Sequence, residues 1–63
     1  MPMTGREMIK LLEKHGWQVV RIKGSHHVMA RDDNPRSVSV PVHGNATLKP
    51  GTEHSILKQA GLK

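Results

Sequence analysis

Cysteine, tyrosine and phenylalanine are all absent from this chain. Without cysteine there is neither a disulfide nor a thiolate metal site, which fits a reducing compartment. Trp17 is the single aromatic residue. Binding nucleic acid by stacking bases on a sheet needs several exposed rings, so the composition argues against that mode. No stretch approaches a membrane span, and the opening Met1-Pro2-Met3-Thr4 lacks the apolar run of a signal peptide, so a cytoplasmic location is expected. Acidic residues are few: five Asp/Glu stand against ten Lys/Arg, giving +5 before any contribution from five histidines. On a chain of 63 residues this is a strong field, suited to steering a polyanion. That length implies one domain, residues 1–63, with a thin core. Folding at this size buries roughly 60% of the unfolded surface, so stability is marginal.

What is present organises into five elements without repeat or linker. Thr4-Gly5-Arg6-Glu7 has the form of a capping box, with Thr4 as N-cap and Glu7 at the third helical position. Met3 and Met8 fall at the two positions of a hydrophobic staple. Met8, Leu11, Leu12 and His15 follow at helical spacing, and Gly16 reads as the left-handed residue that ends the helix. The first helix is therefore expected over about residues 5–15. Trp17 to Lys23 reads as a strand, Gly24-Ser25 as a turn, and His26 to Arg31 as a second strand. Asp32-Asp33-Asn34-Pro35 is a turn cluster. From Arg36 to Val42 the residues alternate, Val38, Val40 and Val42 on one face and Ser37 and Ser39 on the other, with Pro41 marking an edge strand. A last helix begins at Pro50 or Thr52, carries Ile56, Leu57 and Ala60, and ends at Gly61, with Leu62 placed for a Schellman contact. Helix, three antiparallel strands and helix make an α+β fold with two helices covering one face of the sheet. This is the topology of a double-stranded-RNA-binding-like fold.

Lys23-Gly24-Ser25-His26-His27 is the stretch richest in chemistry. A turn-forming Gly and a Ser precede two imidazoles, and histidine, with an unperturbed pKa near ~6.5, exchanges protons at neutral pH. RNA carries its own nucleophile, the 2′-hydroxyl. A cleaving enzyme must remove that proton, stabilise the phosphorane and protonate the departing 5′-oxygen. Histidine serves the first or last task, and Lys or Arg the charge. Adjacent strand residues point to opposite faces, so His26 and His27 cannot both address one phosphate. Either Val28 and Ala30 face inward and take His26 with them, or Met29 faces inward and takes His27. Arg21 and Lys23 share a strand face beside the turn and are candidates for holding the phosphate. Gly24 allows the turn and close approach of a phosphate to the backbone. Ser25 is placed to donate a hydrogen bond to a phosphate oxygen or to close the turn. Lys49 and free amides at the start of the second helix form a possible second phosphate contact. His15, His43 and His54 fall in different elements, so no tetrahedral metal set is implied and no cofactor is expected.

Several stretches resemble the HicA-type toxins of bacterial and archaeal toxin–antitoxin pairs. They are Leu12-Glu13-Lys14-His15-Gly16-Trp17, Lys23-Gly24-Ser25-His26-His27, Val38-Ser39-Val40-Pro41, Pro50-Gly51-Thr52, and Ser55 to Leu62. Their order spans nearly the whole chain. One departure is Asp32-Asp33-Asn34-Pro35, which is longer than the His-Pro-containing turn of the family pattern. The resemblance implies an mRNA interferase, a ribonuclease that acts without the ribosome and is neutralised by a HicB-type antitoxin covering its active surface. It further implies that the histidine after the Gly-Ser turn, His26, is catalytic and exposed, with His27 packed or hydrogen-bonded beneath the sheet. The alternative is a non-catalytic double-stranded-RNA-binding module, in which Lys23 and Lys49 carry binding and His26 is incidental. A DNA-binding helix-turn-helix needs consecutive helices, and the central β pattern argues against it.

Overall fold

The structure, a computed structural model, describes residues 2–63; Met1 lies outside the described residues. Helix α1 spans Gly5–Lys14, strands β1, β2 and β3 span Gln18–Lys23, His26–Arg31 and Asn34–Pro41, and helix α2 spans Pro50–Gln59. The strands form one antiparallel sheet in the order β1-β2-β3. This is the α-β-β-β-α architecture expected from the sequence. No helix among the described residues is long and apolar enough to cross a membrane.

The helix ends follow from local chemistry. Thr4 Oγ1 accepts from the Glu7 amide at 3.1 Å, and Glu7 Oε1 accepts from the Thr4 amide at 2.9 Å, closing the capping box. At the other end Gly16 takes φ +91°. The Trp17 amide donates to the Leu12 carbonyl and the Gly16 amide to that of Glu13, both at 3.1 Å, which is a Schellman motif. The motif moves two boundaries. Helix α1 stops at Lys14 with His15 as C-cap, and Trp17 belongs to the cap rather than to β1. His15 is exposed, so the buried stripe ends at Leu12. Helix α2 ends the same way: Gly61 has φ +76°, and the Leu62 amide donates to Leu57 at 2.9 Å.

The turn between β2 and β3 is shorter than expected. Arg31 pairs with Asn34, leaving only Asp32-Asp33 between the strands, and Pro35 lies inside β3. An edge strand tolerates this because Pro lacks only a donor. The same strand ends at Pro41, one residue before Val42.

Sheet residues Met29, Val38 and Val40 close over Met8, Leu12, Trp17, Leu48, Ile56 and Ala60 in one core, each less than a tenth exposed. Both helices pack chiefly over β3. Strand β1 is left at the open edge, where Val20 and Ile22 are 60% exposed.

Gly5 holds α1 to the sheet. A Cβ there would run into the Pro41 carbonyl oxygen and stand 3.0 Å from Val42 Cγ2. The obstacle is backbone, which cannot rotate away. Gly5→Ala is therefore expected to cost about 1–3 kcal/mol despite the better helix propensity of alanine. In a domain this size, that reads as a fall in melting temperature of the order of 10 °C. An unchanged melt would mean that α1 does not sit on β3 in solution.

Candidate active site

Strand register fixes which side chains share a face. Lys23 of β1, His26 of β2 and Pro41 of β3 form one rung across the sheet, next to the turn. The next rung is Ile22, His27 and Val40. Val40 is fully buried, so this second rung faces the helices and the first faces away from them. The third rung, Arg21, Val28 and Ser39, shares the outer face with the first. Of the two arrangements the sequence left open, Met29 is the inward one: it is fully buried. His26 is exposed on the outer face, and His27 is half-buried beneath the sheet.

A β-bulge between Val19 and Arg21 sets this arrangement. Val20 is the extra residue, and it resets the alternation so that Arg21 and Lys23 join His26. The Gly24-Ser25 turn is the shortest hairpin connection. Gly24 has φ +59° and no non-glycine among the described residues has positive φ, the sign pattern of a II′ turn. Nothing lies within 4 Å of the position a Gly24 Cβ would occupy, so the turn is open to an approaching ligand. The Val42 amide donates to the Ser25 carbonyl at 2.7 Å and ties the turn to the end of β3.

Charge on the outer face is uncompensated. Within the described residues the ion pair formed is Arg31–Asp33 at 2.6 Å, which leaves exposed Arg21 and Lys23 without an acidic partner. Asp32 and Asp33 sit in the β2–β3 turn, at the opposite end of the antiparallel hairpin from Gly24-Ser25. His26 Nδ1 lies 3.3 Å from Ser39 Oγ, its one side-chain hydrogen bond among the described residues.

Arg21, Lys23, Gly24, Ser25 and His26 are thus brought together, whereas Lys49 is set apart. Lys49 is the N-cap of α2, with no side-chain capping bond, and it lines a cavity of about 470 Å³ with Pro41, His43 and Thr52. Pro41 alone connects that cavity to the rung of His26. His27 lines a second cavity, of about 380 Å³, with Arg6, Ile9, Lys10 and Glu13, and its buried Nδ1 has no partner. His15, His43 and His54 are exposed in three separate places. No group of three or more His, Asp or Glu side chains positioned for a metal ion occurs among the described residues.

An exposed imidazole flanked on one side by free cations, beside an open glycine turn, has the groups needed to bind a phosphodiester and move a proton at it. Ser39 was not a candidate from the sequence. The alternation of Val38 to Val42 puts it on the polar face, but its pairing with His26, thirteen residues away, depends on strand register. Residues 5–62 match the protein family described as the HicA toxin of bacterial toxin–antitoxin systems. A comparison with curated proteins finds no match.

Proposed function

Since this chain belongs to the HicA toxin family of bacterial toxin–antitoxin systems, we propose that it is a metal-independent endoribonuclease, an mRNA interferase, in which His26 is the general acid and base. The observation that supports this reading most is the outer-face rung at the turn. There the exposed His26 stands across from Lys23, with Arg21 two rungs in and no acid among the described residues paired with either cation.

In this mechanism the Arg21 and Lys23 side chains and an amide or hydroxyl of Gly24-Ser25 hold the scissile phosphate. Lys49 contacts the strand further along. The free ring nitrogen of His26 takes the proton from the 2′-hydroxyl as its oxygen bonds to phosphorus. The same imidazole, now protonated, gives a proton to the 5′-oxygen as the P–O5′ bond breaks. One proton enters and one leaves, so the histidine is regenerated. The products are a 2′,3′-cyclic phosphate and a 5′-hydroxyl. Arg21 and Lys23 stabilise the charge that builds on the phosphorane. A single histidine with cations gives a slow nuclease, sufficient for a toxin whose targets are messenger RNAs.

The partner is a HicB-type antitoxin that covers the outer sheet face. The uncompensated cations there favour an acidic covering surface.

The test is cleavage of a long unstructured RNA by the purified protein in EDTA, followed by end-group analysis. Cyclic phosphate and 5′-hydroxyl ends, with no loss of rate in the chelator, are expected. Ends carrying a 5′-phosphate, or full dependence on added metal, would overturn the mechanism. Binding without cleavage would favour the RNA-binding module instead.

A further inference from the structure

Within Val38-Ser39-Val40-Pro41 the two valines are core residues, and Pro41 completes the rung of His26. Only Ser39 has no packing role. It is exposed on the outer face, and it lacks the β-branch that would favour a strand position. Its Oγ instead lies 3.3 Å from His26 Nδ1. We propose that Ser39 is a positioning residue: its hydroxyl accepts a hydrogen bond from Nδ1–H of His26 and so leaves Nε2 as the nitrogen that faces RNA.

This inference rests on the reading of His26 as the proton-transfer group. A serine hydroxyl both donates and accepts, so two arrangements are available. If the hydroxyl donated to Nδ1, the ring proton would sit on Nε2, and that nitrogen would have no lone pair for the 2′-hydroxyl proton. Accepting from Nδ1–H leaves Nε2 bare and basic. Once Nε2 has gained its proton, Nδ1–H still donates to the same oxygen, and Nε2–H delivers the proton to the leaving oxygen. The accepting arrangement therefore serves both halves of the reaction without rotating the hydroxyl. Which nitrogen of a histidine reacts is set by the hydrogen bond that the other one makes. The backbone holds the two groups in place, because His26 pairs with Pro41, Val28 pairs with Ser39, and Val42 is bonded back to Ser25.

The experiment compares wild type, Ser39→Ala, Ser39→Thr and His26→Ala. The imidazole nitrogens of His26 are observed by ¹⁵N NMR, and RNA cleavage is measured with kcat and KM separated. In wild type, neutral His26 is expected mainly as the Nδ1–H tautomer, and in Ser39→Ala as the Nε2–H form. On the scale of other outer-shell partners that orient an imidazole, Ser39→Ala should lower kcat by roughly 10–100-fold, with KM little changed. Ser39→Thr, which keeps the hydroxyl, should restore both tautomer and rate. The same tautomer in wild type and Ser39→Ala overturns the proposal, whatever the rates. A changed tautomer with unchanged kcat also overturns it while His26→Ala is inactive, and the catalytic reading of His26 then stands. If His26→Ala retains full activity, the reading of His26 itself has failed, a result separable from the first because the NMR comparison needs no substrate.

Discussion

His26→Ala is expected to lower RNA cleavage by about 10²–10⁴-fold, the range that a positioned acid–base group supplies, and to leave the thermal melt unchanged. Both halves of this expectation come from the same geometry. His26 lies on the outer rung with Lys23 and Pro41, is exposed, and makes a side-chain hydrogen bond to exposed Ser39. Removing it opens no cavity and strands no buried polar group, and such surface changes fall within about ±0.5 kcal/mol. The neighbouring His27→Ala is the internal control. His27 lies on the helix side of the sheet and lines the cavity beside α1 together with Ile9 and Glu13. Its loss should affect stability and leave the rate of the folded fraction intact. Cleavage assays on both variants, with matched circular dichroism, check this. Equal cleavage by wild type and His26→Ala would remove His26 from the mechanism. Inactivity of wild type itself, with RNA still bound, would reduce the protein to a binding module.

The sequence shows these two histidines diverging but not which faces outward, and the reason is physical. Strand alternation has a period of two, so any pair of neighbours is split between faces. The sign is set by what the core accepts. Here the core takes Met29, which is fully buried, while Val28 and Ala30 are only partly covered. Elements with strong local signals were legible: the Thr4–Glu7 capping box, the two Schellman glycines, and the Gly24-Ser25 turn. Features that depend on register were not. The Val20 bulge, the inclusion of Pro35 in β3, and the approach of Ser39 to His26 all need the partner strand before they can be seen. Gly5 illustrates the same limit. In sequence it is an ordinary first residue of a helix, and only the path of β3 past it makes a side chain impossible there. The candidate site was therefore readable as a cluster around the turn, but its orientation and its serine were not. Lys49 sat outside the cluster for a similar reason, since it lines a cavity that shares Pro41, and not His26, with the first rung.

Trp17→Ala should have the opposite signature, loss of the fold itself. Trp17 is the largest fully buried side chain, 1% exposed, and it enters the core from the cap that ends α1. Truncation of a buried tryptophan costs about 3–5 kcal/mol. It also removes the ring beneath the Arg31 guanidinium, which lies 5.2 Å from its centroid, a contact worth about 0.5–1 kcal/mol. Arg31 is held over that ring by Asp33 and by the carbonyl of His15, so the indole joins the end of α1 to the turn between β2 and β3. Against the small reserve of a domain this size, the loss is most of what there is. At roughly 4–8 °C per kcal/mol, the melting temperature should fall by about 20 °C or more. Trp17→Phe is the discriminating companion. It keeps an aromatic face for Arg31 and removes the indole Nε1, which is buried without a partner. An unpaired buried donor costs about 1–3 kcal/mol, which offsets part of the lost packing. Phe should therefore melt well above Ala, in scans followed by circular dichroism. An Ala variant melting within a few degrees of wild type would mean that the indole is not the centre of the core. Both His26→Ala and Trp17→Ala then silence cleavage at elevated temperature, but only the second loses its rate along its own melting curve. The two losses are expected to separate because the candidate site and the core lie on opposite faces of the sheet.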